Sequence, residues 1–147
     1  MVDNVRMVGI TGGIVAVLTV TDPERSAAWY GRLLGMREAG RYVHPDGSVG
    51  QVCLTEPRSG LEICLVGHTA NAGAPFDEHR VGLDHLEFLV PSRVDLDDWA
   101  ARLDSLGIGH SGVKEPAYGP NAMITFRDPD NIQLEFFWKA ADQSAPC

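Results

Sequence analysis

The chain repeats itself. Displaced by 70 positions, Val15 to Val20 (VAVLTV) falls on His85 to Val90 (HLEFLV), Trp29 on Trp99 and Leu33 on Leu103. Three further residues inserted, an offset of 73, bring Leu61-Glu62 onto Leu134-Glu135, so each copy closes on a strand that carries a glutamate. Two copies of one small unit bury their apolar faces together, and that requirement narrows the architecture more than any single motif does.

The order within each copy follows from periodicity and punctuation. Val15 to Val20 and His85 to Val90 are short, β-branched or aromatic runs that stop at Thr21-Asp22-Pro23 and Pro91-Ser92, so each opens its unit as a strand. Ala27, Tyr30, Leu33 and Leu34 then recur at helical spacing within Ser26 to Leu34. Leu96, Trp99, Ala100, Leu103 and Leu106 do the same, and Gly35 and Gly107 end the two helices. Further strands are expected near Met36 to His44, Val49 to Glu56 and Leu61 to Gly67, and again near Ile108 to Lys114, Ala122 to Arg127 and Ile132 to Trp138. Turns fall at His44-Pro45-Asp46-Gly47, Pro57-Arg58-Ser59-Gly60 and Asp128-Pro129-Asp130-Asn131. The pattern is βαβββ, twice, in the α+β class.

A chain of 147 residues with 44% apolar content has material for one core, so both units are expected in one domain. Repeat 1 spans about 10–67, a small polar linker 68–81, repeat 2 about 82–138, and a short tail 139–147. The net charge of -8, with no run of Lys or Arg, argues against nucleic acid or an anionic membrane as partner. Cys53, Cys64 and Cys147 are odd in number and lack CxxC spacing, which reads as buried thiols in a reducing compartment. Met7 to Val20 holds Gly12-Gly13 and makes a poor signal or membrane span, so the expectation is a soluble cytoplasmic protein.

Period two assigns the faces. Leu86, Phe88 and Val90 go under the helix, which turns His85, Glu87 and Leu89 the other way; Gln133, Glu135 and Phe137 share that inner face. In the first unit Val15, Val17 and Thr19 join Glu62, Cys64 and Val66. Burying a carboxylate without a partner is costly, so Glu62, Glu87 and Glu135 on a concave face imply water, a metal, another cation or a shared proton.

The repeated unit, the SxxWYxxLLGM run from Ser26 to Met36 and the RDPDNIQLEFF run from Arg127 to Phe137 resemble the vicinal oxygen chelate superfamily, which includes glyoxalase I, extradiol dioxygenases, fosfomycin-modifying enzymes and bleomycin-binding resistance proteins. The resemblance runs from about Ile10 to Trp138. It implies two βαβββ repeats forming one open, U-shaped mixed β-barrel with helices on the outer face, often completed by a homodimer, and a divalent metal in the cup. Members typically take ligands from the start of each first strand and the end of each fourth, which here are Val15, Glu62, His85 and Glu135.

A valine offers no lone pair, so the implied metal set is Glu62, His85 and Glu135, with vacant positions for water or a bidentate substrate. Mn(II), Fe(II), Ni(II) or Zn(II) there would polarise adjacent oxygens of a small oxygenated molecule and stabilise an enediolate or oxyanion, as a lyase or isomerase requires. Glu87 and Glu135 are the candidate catalytic carboxylates, Glu87 as second shell or proton-transfer base. Val15, Val17, Cys64, Val66, Leu89, Tyr118 and Phe137 are candidate pocket residues. Phe76 also borders the site, and His68 is the remaining histidine placed to reach it. Val15 equally supports a metal-free slot of the antibiotic-sequestering kind lined by Val15, Val17, Val66, Leu89 and Phe137, and between the two lies a metal-free biosynthetic enzyme using His85 and a carboxylate as acid and base. The two-histidine, one-carboxylate set of extradiol oxygenation is not met.

Overall fold

The computed structural model describes residues 12–117 and 119–140. The first unit consists of β1 (Ala16–Thr19), α1 (Pro23–Leu34), β2 (Arg37–Val43), β3 (Val49–Thr55) and β4 (Glu62–Val66); the second of β5 (Leu86–Leu89), α2 (Arg93–Ser105), β6 (Ala122–Arg127) and β7 (Gln133–Trp138). The first unit forms a four-stranded sheet in the order β1-β4-β3-β2, the second a three-stranded sheet in the order β5-β7-β6. In both, the opening strand runs parallel to the closing one, Ala16 beside Ile63 and Leu86 beside Leu134, which is the repetition of the sequence expressed in space. No pairing joins the sheets among the described residues, so the mixed barrel is open.

Local chemistry explains both helices. Asp22 caps α1 by accepting from the amides of Glu24 and Arg25, each at 3.0 Å, and Pro23 fills the first turn, where a missing N–H is harmless. The helix therefore begins three residues before the apolar spacing shows it. Gly35, at φ 70, ends it in the left-handed region. Ser92 caps α2 in a capping box with Asp95.

One strand expected from the sequence is absent. Ile108 to Lys114 makes only two isolated bridges, His110 to Phe126 and Lys114 to Met123. Gly107, at φ 67 just before this stretch, and Gly112, at φ 69 within it, turn the backbone out of the extended region, and such kinks prevent a continuous ladder.

The helix-side faces of both sheets enter one hydrophobic cluster. Leu18, Ile63, Leu65, Tyr30 and Leu33 of the first unit belong to it together with Leu96, Leu103, Ile124, Leu134 and Phe136 of the second. Trp99 stacks on Phe136 with ring centroids 4.1 Å apart, and Trp29 reaches across to Phe126 at 6.4 Å. The turn after β6 is more than a turn. Asp128 accepts from the buried Tyr30 hydroxyl at 3.1 Å, while Asp130 accepts from the Thr21 hydroxyl at 2.5 Å and from Arg25 at 3.1 Å. Those bonds fasten the start and middle of α1 to the second unit. Burial raises both the Tyr30 hydroxyl and the Asp128 carboxyl above their usual ranges.

The cysteines depart from expectation. Cys53 and Cys64 are not free thiols; they form a disulfide between β3 and β4, with Cα atoms 4.0 Å apart. The two lie symmetrically about the Pro57–Gly60 turn, and the hairpin register pairs them directly. A disulfide persists most readily in oxidising surroundings, so cysteine usage no longer argues for a reducing compartment.

Candidate metal centre on the open sheet face

The same register builds a polar cluster on the second sheet. β5 and β7 are parallel neighbours with Glu87 directly beside Glu135, and His85 precedes Glu87 by two residues on the same side. Ligand atoms of His85, Glu87 and Glu135 all lie within 4.8 Å of one another. His85 Nε2 is 3.4 Å from Glu87 Oε2, and His85 Nδ1 is 2.5 Å from Asp84 Oδ1. Leu89 and Phe137 stand beside each other one step further along the same face, with Met123 across from Phe137.

The electrostatics are uneven. Glu135 is only 6% exposed, and among the described residues its carboxylate accepts no hydrogen bond. Burial raises its proton affinity and Glu87 raises it further, against the lowering influence of His85. The His85 ring is pushed the other way from an ordinary buried imidazole. Its bond to Asp84 favours the protonated form most, with Glu87 and Glu135 adding to it, and these outweigh desolvation. Two carboxylates and an imidazole converging with so few donors form a set that a cation satisfies well. Nitrogen and oxygen donors in that ratio suit Mn(II), Fe(II), Ni(II) or Zn(II).

The other expected residues fall in different places. Glu62 is exposed on the first sheet, paired with Thr55, and stands outside the cluster. Val15 and Val17 share that outward face at 45% and 61% exposure, Cys64 is tied up in the disulfide, and Val66 is half-buried. Leu89 is 72% exposed and Phe137 half-buried beside the cluster. Tyr118 lies outside the described residues. His68 is exposed and not part of the cluster, whereas Phe76 is held against the β6–β7 turn by bonds to Asp130 and Asn131. A separate hollow lies between the β3–β4 turn and α2, lined by Leu61, Phe88, Trp99 and Phe136, and holds none of the three cluster residues. Asp84 joins the site as a partner of His85 that strand alternation does not indicate, since neighbouring residues of a strand face opposite ways.

The comparisons with known proteins agree with this fold. The family model of the Glyoxalase/Bleomycin resistance protein/Dioxygenase superfamily matches residues 13–136. The chain belongs to the glyoxalase superfamily. Among solved structures, a glyoxylase/bleomycin resistance protein/dioxygenase domain from Frankia sp. EAN1pec is 35% identical, with a TM-score of 0.76 over 90% of this chain and 100% of that one. FosX, a fosfomycin resistance protein from Listeria monocytogenes crystallised with Mn(II) and sulfate, is 18% identical, with a TM-score of 0.65 over 90% and 95% of the two chains. A glyoxalase family protein from Enterococcus faecalis is 19% identical, with a TM-score of 0.66 over 84% and 93%. At those lower identities the likeness is one of fold. No curated protein matches the chain. Among the described residues no helix is long and apolar enough to cross a membrane.

Proposed function

We propose that this glyoxalase-superfamily chain is a divalent-metal-dependent enzyme acting on a small oxygenated molecule, with His85, Glu87 and Glu135 holding the ion. The observation that carries the reading is Glu135, only 6% exposed and accepting no hydrogen bond among the described residues, converging with an imidazole and a second carboxylate inside 4.8 Å. Mn(II) in FosX, which has the same fold, supports it. Relative to the family pattern, Glu87 takes a ligand place and Glu62 does not. When bound, the ion supplies Lewis-acid polarisation of neighbouring substrate oxygens. The chain's own part is to present Nε2 of His85, to hold the Glu135 carboxylate beside it on a largely buried side chain, and to lay the apolar part of a substrate along Leu89, Phe137 and Met123.

The assembly in this reading is a homodimer. The site is an open sheet face, not a closed cavity, and Val15, Val17 and Leu89 leave apolar side chains uncovered on the open faces of the two sheets. A second copy laying its first sheet over this second sheet would roof the site and cover those residues.

Melting curves of the purified protein with and without Mn(II), Ni(II) and Zn(II) test the metal. Binding restricted to the folded state stabilises it by about 2.7 kcal/mol at a concentration 100 times Kd. His85→Ala should abolish the shift, and full metal affinity in that variant would overturn the ligand assignment. The exposed Val15, Val17 and Leu89 favour a second reading, a metal-free slot that sequesters an apolar molecule. No shift with any of the three metals would decide for it.

A further inference from the structure

We infer that Asp84 is a positioning residue that fixes the His85 ring with its proton on Nδ1 and so delivers Nε2, lone pair outward, to the cluster. A neutral imidazole exists as two tautomers, and only the nitrogen without hydrogen can bind a metal or take a proton. A carboxylate accepts and cannot donate. Asp84 Oδ1 lies 2.5 Å from Nδ1, so in the neutral ring Nδ1 carries the hydrogen. The Glu87 carboxylate competes for a hydrogen on Nε2, but it stands off at 3.4 Å, so the much closer Asp84 contact decides and leaves Nε2 the free nitrogen of the neutral ring.

The backbone makes this contact available. Adjacent residues within a strand project to opposite faces, and an Asp-His pair inside the ladder would separate. β5 begins only at Leu86, so Asp84 and His85 both precede it. Gly82, at φ 152, bends the chain two residues earlier in a conformation that favours glycine. The Asp84 side chain is 72% exposed, and the His85 ring is its hydrogen-bond partner among the described residues. It supports no other element, so its removal should leave the fold intact. Asp84 is also absent from the group whose atoms converge, which separates it from the ligands themselves.

The test uses the full-length protein and two variants, Asp84→Ala and Asp84→Asn. Long-range proton–nitrogen spectra of His85 in metal-free protein, at alkaline pH where the ring is neutral, report the tautomer directly. The unmodified protein should show the proton on Nδ1. Asp84→Ala should shift the population toward Nε2–H, and Asp84→Asn, whose amide oxygen still accepts, should restore Nδ1–H. Mn(II) affinity, read from the free-ion paramagnetic resonance signal, should fall about 10- to 100-fold in Asp84→Ala and recover in Asp84→Asn, with unchanged melting temperature without metal. An Nε2–H ring in the unmodified protein, or an Asp84→Ala variant with the same tautomer and Mn(II) affinity within twofold, would overturn the assignment. The inference rests on the proposed metal centre for its Mn(II) readout alone. If no variant binds Mn(II), that centre fails while the tautomer still decides the role of Asp84.

Discussion

The carboxylate of Glu78 sits 2.6 and 2.9 Å from the guanidinium of Arg127 in a two-point contact, and Arg127 also donates to Gln133 and to the carbonyl of Asn131. The bond to Arg127 lowers the Glu78 carboxyl to about 2 from an ordinary 4.5. A depressed folded value means stability that is complete above the unfolded value and fades as pH falls from about 4.5 toward 2. Melting temperatures of the unmodified protein and Glu78→Gln should therefore differ at neutral pH and converge in acid. A gap that stays constant down to pH 2 would contradict the pairing. At this scale the sequence was only partly legible. His85 and Glu135 could be placed on one face because side chains alternate along a strand and both strands were plain. Asp84 could not, because its contact depends on a bend before β5 that no periodicity announces.

Among the elements, the β3–β4 hairpin shows most clearly what pattern reading captured and what it omitted. Its strands and its Pro57–Gly60 turn were readable from alternation and turn residues, and the register those imply already sets Cys53 opposite Cys64. What pattern reading omitted was the step from strand boundaries to pairwise register. The missing strand at 108–114 failed for the opposite reason, since its apolar and β-branched residues suggested a strand that positive-φ glycines forbid. The disulfide closes a short loop, with 11 residues of sequence separation, and constrains the unfolded chain accordingly. Reduction, or Cys64→Ser, should lower stability by about 2–4 kcal/mol, measurable as a drop in the urea midpoint. Equal midpoints with and without reductant would show that the bridge contributes nothing.

At the scale of the whole molecule, the repeat accounts for the symmetry of the two sheets, and the bonds between units account for their union. Sequence self-comparison exposed the first because offset copies keep the same apolar positions. It could not expose the second, because Tyr30 and Asp128 are far apart along the chain and only the folded backbone brings them to 3.1 Å. The bonds from Thr21, Arg25 and Tyr30 to the β6–β7 turn, with the shared apolar cluster, do not depend on the peptide that runs between the units. Severing the backbone after Gly73, in an exposed stretch, leaves each of those contacts in place. Residues 1–73 and 74–147 expressed as separate polypeptides should accordingly co-elute as one particle, and independent elution would refute that expectation. Physical continuity of the chain is then a matter of local concentration, and the gene could be split at that point to make association of two tagged fragments its own reporter.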